Sequence, residues 1–249
     1  MRVASFGQTV FAATLITIGL VGLVKGDFFA IWEPVPKELP AREALIYLCA
    51  LVSLVSGAGL LWRPTTAVAA AGLLVCLVLW LLLFRAPVIF RAPTVAASWE
   101  SCAETAVLVA GAGALYAWLA ASEKGVRIAR ALYGLALIPF GLAHFAYADQ
   151  TAALVPGWLP LHMVWVYLTG STYILAGVSV LIGISARLAA VLSALQMGMF
   201  TLLVWVPIIA VAGHKSNFQW SETVVSLALT AAAWVVADSF RDSSPSRTT

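Results

Sequence analysis

Eight apolar runs, each of roughly 20 residues, alternate with short polar stretches along the chain, and each is long enough to cross a hydrocarbon core of about 30 Å. They run from about Phe6 to Val24, Ala44 to Leu61, Thr66 to Phe84, Ala103 to Ala121, Ala129 to Tyr147, Met163 to Gly183, Ala186 to Pro207 and Ser221 to Ala237. The pattern predicts an all-α, polytopic integral membrane protein with eight transmembrane helices. A proline-rich polar connection from Lys25 to Glu43 separates the first two runs, and Trp62-Arg63-Pro64 makes a short turn after the second. Arg85, Pro87, Arg91 and Pro93 are expected to end the third helix. The first run reads as a spanning helix rather than a signal peptide, because only Arg2 precedes it and no A-x-A site follows.

The runs repeat. Val35-Pro36-Lys37-Glu38-Leu39-Pro40 has the form of Val155-Pro156-Gly157-Trp158-Leu159-Pro160. Pro36 and Pro156, Leu39 and Leu159, Tyr47 and Tyr167, and Gly57 and Gly177 are each 120 positions apart. Pro87 answers Pro207, and Glu104-Thr105 answers Glu222-Thr223. The spacing predicts two four-helix units, 1–122 and 123–238, followed by a disordered polar tail over 239–249. An even number of spans in each unit inserts both the same way up, so the units are parallel and related by an axis along the membrane normal.

Composition agrees. Apolar residues make up 62% of the 249-residue chain and charged residues 10%, whereas a soluble domain carries about 25% charge. The net charge of +3 is too small and scattered to point to nucleic acid. Eight Lys and Arg, including the Lys124/Arg127/Arg130 cluster, fall on the side of the N-terminus and six on the other. That bias predicts a bacterial-type inner membrane with both termini cytoplasmic. The tryptophans gather near helix ends, as amphipathic indoles do at headgroup level, and their excess on the outer side suggests an aromatic cap. Cys49, Cys76 and Cys102 form no C-x-x-C pair.

The second half resembles the DoxX-like family of small four-helix membrane proteins. The likeness is carried by Gly141-Leu142-Ala143-His144-Phe145, by Val155 to Pro160, by Ala176-Gly177 and by Arg187-Leu188-Ala189-Ala190. Phe200-Thr201, Trp205-Val206-Pro207 and Trp220-Ser221-Glu222-Thr223 complete it. The first half follows the same plan in diverged form, with Lys25 in the place of His144 and Arg85 in the place of Trp205. The resemblance implies a non-catalytic or quinone-associated subunit of a membrane oxidoreductase. A purely structural accessory subunit, or a transporter or lipid-binding protein, stands as the alternative. It also implies membrane lipids and other membrane or redox subunits as partners.

The candidate chemistry is polar and lies on the outer side. His144, His162, His214 and Glu222, with Trp158, Trp205 and Trp220, form a candidate cofactor site for a quinone headgroup, since imidazole donates to a quinone carbonyl. No two histidines stand at i, i+3 or i, i+4, so the spacing favours no metal. The plainer alternative is a set of interfacial side chains bonded to loop backbone. Glu104 and Glu222 are expected in the first turns of their helices, where the dipole stabilises them. Arg85 and Arg91 are expected either to snorkel to lipid phosphate or, with Lys25, to bind an anion. Gln196 is expected to bond to a neighbouring helix. Phosphate-binding loops, G-x-S-x-G, H-E-x-x-H and C-x-x-C-H are absent from the sequence, which argues against a self-contained hydrolase, NTPase or c-type cytochrome.

Overall fold

A chain in lipid must satisfy its own backbone, and the helix does so within one segment. The computed structural model describes residues 5–212 and 217–241. Among these residues eleven α-helices and no strands form. They are α1 (Phe6–Lys25), α2 (Arg42–Leu61), α3 (Thr66–Trp80), α4 (Ala86–Arg91), α5 (Ala96–Leu119) and α6 (Glu123–Ala146). Then come α7 (Ala148–Leu154), α8 (His162–Ile182), α9 (Ala186–Phe200), α10 (Val206–Ala212) and α11 (Asn217–Ser239). Eight helical stretches are long and apolar enough to span, with α3–α4 and α9–α10 each counting as one. The protein is an all-α, multi-pass membrane protein. Phe6 and Ser239 share one face, called here the terminal face, and the other is the distal face.

Local chemistry sets the ends. Ser5 Oγ accepts from Gln8 N–H to cap α1, and Ser122 Oγ accepts from Gly125 N–H to cap α6. Gly26 ends α1 in the left-handed region (φ 63°) and donates to the Gly22 carbonyl.

Pro87 and Pro207 do not end their helices: the third span continues to Arg91, just before Pro93, and the seventh continues past Pro207. Leu81–Arg85 and Thr201–Trp205 are π-helical, and Ala86 and Val206 donate back to the Leu81 and Thr201 carbonyls. Each π segment lies just before Pro87 or Pro207, so the ladder widens and the helix continues past the missing N–H. Helix α5 also begins seven residues earlier than the sequence suggests, at Ala96, because Trp99 and Glu100 join the helix instead of the preceding loop. Of the expected tail, Ser239 closes α11 and Phe240 N–H bonds the Ala237 carbonyl, while 242–249 lie outside the described residues.

Secondary structure recurs at the interval of the sequence repeat: α3 and α9, and the two π segments, are each 120 positions apart. So are Ala41 and Leu161, the left-handed residues that open α2 and α8 (φ 56° and 57°). The two halves interlock in space. Helix α1 packs on α2 and on α11, α6 packs on α8 and on α5, and α5 and α11 pack on each other at the centre.

Small residues make these contacts close. A Cβ on Gly111 would lie 2.7 Å from the Ala232 Cβ across the α5–α11 seam. One on Gly57 would lie 2.7 Å from the Ala12 carbonyl, and one on Gly141 would lie 2.4 Å from the Gly170 carbonyl. Between apolar helices in lipid, such packing replaces the hydrophobic drive that water would supply. Gly141→Ala is expected to destabilise the protein by about 1–3 kcal/mol through overpacking against backbone. Gly72→Ala, which meets nothing within 4 Å, leaves stability unchanged or raises it. Thermal unfolding of both variants in detergent checks the contrast.

Candidate functional site on the distal face

The strongest concentration of buried polar chemistry lies at the distal end of the first half. The polar connection after α1 does not stay in water. Its Ala30–Trp32 turn is a 3-10 helix, and Phe28, Phe29, Ile31 and Trp32 are all buried. Trp32 Nε1 donates to Ser53 Oγ at 3.1 Å, and that hydroxyl donates to the Cys49 carbonyl at 2.8 Å. Trp80 packs edge-on against Trp32 with ring centroids 5.0 Å apart, 4.3 Å from Phe84 and 5.9 Å from Phe28. Of the tryptophans expected to form an outer aromatic cap, Trp32 and Trp80 join Phe28 and Phe84 in a buried plug, while Trp99, Trp158 and Trp220 are exposed.

Arg85 sits beside this plug and does not snorkel. Only 3% of its surface is exposed. One Nη donates to the Ile31 carbonyl at 3.0 Å and the Ala30 carbonyl at 3.3 Å, and the other donates to Ser101 Oγ. The reason is geometric: the folded-back turn presents two carbonyls beside the last residue of the π segment. Arg91, by contrast, is exposed. Four buried donors in the first half have no partner among the described residues: Arg85 Nε and Trp80 Nε1 beside the plug, Arg42 Nε and Thr105 Oγ1. A buried donor left unpaired costs about 1–3 kcal/mol, so each is an open demand for an acceptor.

Carboxylates complete the site. Glu104 lies in the electrostatic field of Arg85, Glu100 and Glu222, and Arg85 also feels Glu33 and Cys102. Among the described residues Arg85 makes no direct ion pair. The first-turn account of Glu104 and Glu222 fails. Glu104 is the ninth residue of α5 and Glu222 the sixth of α11, beyond the reach of the terminal dipole. Glu100 and Glu104 stand at i, i+4 on one helix face. Among the described residues no three His, Cys, Asp or Glu side chains converge as metal ligands.

The six residues singled out by sequence are distributed differently. His144 Nδ1 lies 2.8 Å from the Phe140 carbonyl, and its ring centroid is 5.5 Å from that of Tyr173. His162 opens α8 and is partly exposed. Trp158 is 71% exposed and Trp220 is 46% exposed. Trp205 packs against Phe200 with centroids 6.2 Å apart. Glu222 alone joins the carboxylate group around Glu104. No hydrogen bond, ion pair or ring contact joins any two of the six. His214 lies outside the described residues.

Comparison with known proteins finds no matching family model, no matching curated protein and no matching solved structure.

The second half carries a different interior. Gln196 on α9 accepts from Thr172 Oγ1 at 2.6 Å and donates to the Thr169 carbonyl at 3.0 Å, the interhelical bond its position predicts. Tyr133 OH and Ser193 Oγ lie 2.8 Å apart, and Thr201 and Ser226 hydroxyls 2.6 Å apart. These pairs satisfy each other and leave no open donor. Arg85, Trp80, Glu100 and Glu104 are the residues that sequence reasoning missed as a group. The usable signal was an arginine inside an apolar run, together with two glutamates four apart. Arg85→Met is expected to release the Ala30–Trp32 turn and cost about 1–3 kcal/mol from unsatisfied carbonyls. Faster proteolysis within 26–41, with the rest of the chain still protected, checks this.

Proposed function

We propose that the protein is a membrane subunit that holds a quinone headgroup beside Arg85 and serves a membrane oxidoreductase assembly. One observation carries the reading: among the described residues Arg85 Nε and Trp80 Nε1 are buried donors without partners, and the Trp80 ring packs against Phe28, Trp32 and Phe84. A planar ring with two carbonyl acceptors suits that donor set, since it offers acceptors to the N–H groups and a face to the aromatics. Resemblance of the second half to DoxX-like proteins points to the same class of ligand.

In this reading Arg85 orients the ligand and is itself fixed by Ala30, Ile31 and Ser101. The aromatic plug excludes water. A bound quinone would supply two-electron, two-proton redox chemistry. Glu104, with Glu100 and Glu222 near it, is the chain's own carboxyl group placed to hold or pass a proton at the distal end of the central helices. Lipids and a redox partner complete the assembly.

The reading is tested by gentle purification, followed by solvent extraction and mass spectrometry of retained quinone. Wild-type protein is expected to retain quinone, and Arg85→Met or Trp80→Phe to lose about tenfold, the equivalent of about 1.4 kcal/mol. Absence of quinone from the wild type, or equal retention by both variants, rejects it. A stable redox partner with no quinone on this chain would make the protein a structural accessory subunit.

A further inference from the structure

The terminal face carries a second concentration of charge, remote from the distal site and independent of its reading. A cleft of about 940 Å³ opens between the start of α6, the α8–α9 turn and the end of α11. Arg127, Arg130 and Arg187 line it, and among the described residues no acidic one does. Arg130 forms the fixed wall. It donates through Nε to Ser239 Oγ at 3.0 Å and through Nη to the Ser239 carbonyl, and its guanidinium lies 4.0 Å above the Phe240 ring. Arg127 and Arg187 are exposed, and among the described residues neither makes an ion pair.

The backbone adds to the positive field. Gly183 (φ 79°) and Ser185 (φ 49°) bend the turn sharply into α9, and both line the cleft. Ser185 supplies no side-chain cap, and the first N–H groups of a helix have no partner within it. The corresponding cleft of the first half is built differently. There Asp238 and Arg241 pair at 3.2 Å, and Arg63 is the other basic lining residue among those described. Repetition of the scaffold therefore does not account for the three arginines.

We infer that the cleft lined by Arg127, Arg130 and Arg187 binds a phosphate group. Guanidinium matches phosphate geometry in bidentate fashion, and a basic pocket between helix ends at the membrane interface suits an anionic lipid headgroup. A soluble phosphate compound would present the same chemistry, so the two sources are separated by experiment.

Full-length protein in detergent is titrated with phosphatidylglycerol or with phosphatidylcholine, and bound lipid is read by native mass spectrometry. Wild-type protein is expected to retain phosphatidylglycerol in preference to phosphatidylcholine. The double variant R127Q/R187Q is expected to lose about 30-fold in affinity for phosphatidylglycerol, the equivalent of about 2 kcal/mol for two charges. R63Q, in the opposite cleft, is expected to bind as wild type does. Both substituted arginines are exposed, and an unchanged thermal midpoint shows that the variant is folded; R187Q alone serves if it is not. Persistence of lipid binding in millimolar inorganic phosphate assigns the site to lipid, and displacement assigns it to a soluble phosphate. Equal retention of the two lipids, or undiminished binding by R127Q/R187Q, overturns the inference.

Discussion

The close approach of α5 and α11 is the constraint on which the rest of the molecule depends. Gly111 faces Ala232 at a separation that a single added carbon would violate. Helices in lipid gain nothing from hiding apolar surface against each other, so the contacts that remain are van der Waals packing between small residues and scattered hydrogen bonds. Once these two helices meet, each offers its remaining flanks to one helix of the opposite half, α6 for α5 and α1 for α11. The tandem halves therefore share one interior.

That arrangement also decides where charge collects. The central helices carry Glu100, Glu104 and Glu222 toward the distal end, and the π segment of the first half brings Arg85 to the same level. A charge buried in a span is expensive unless it is held. Here the folded-back Ala30–Trp32 turn holds it with two carbonyls. The second half has the same π segment with Trp205 in that place, and its Trp158 remains in the open. One scaffold thus supports a plugged, charged lobe and a neutral lobe joined by hydroxyl and amide bonds. On the terminal face the two clefts also differ: one holds the Asp238–Arg241 pair beside Arg63, and the other is lined by Arg127, Arg130 and Arg187.

Much of this architecture was legible from the chain alone. All eight spans are found where apolar run length places them, and the 120-residue interval seen in Pro36 and Pro156 reappears in helix starts, π segments and left-handed residues. Gln196 bonds across to α8 because an amide at that depth has no other source of partners. The misreadings cluster at helix ends. Pro87 and Pro207 signalled breaks and produced π turns, and Glu104 looked like a first-turn residue although α5 starts at Ala96. Hydropathy registers where a chain leaves the bilayer, which is not where its helical hydrogen bonding stops.

Composition and run length were enough to determine an all-helical membrane protein with eight spans, because each is a property of neighbouring residues and of the solvent they require. Tertiary structure decided everything that needs two distant segments at one point. It put Arg85 against the Ala30 and Ile31 carbonyls and not in the headgroups. It held His144 on the Phe140 carbonyl and beside Tyr173, out of contact with Glu222. It gathered Arg127, Arg130 and Arg187 from two separate turns into one cleft. Hydrogen bonds and guanidinium fields act over a few ångströms, and only the packing of α5 on α11 and the helices around them brings those groups within that range.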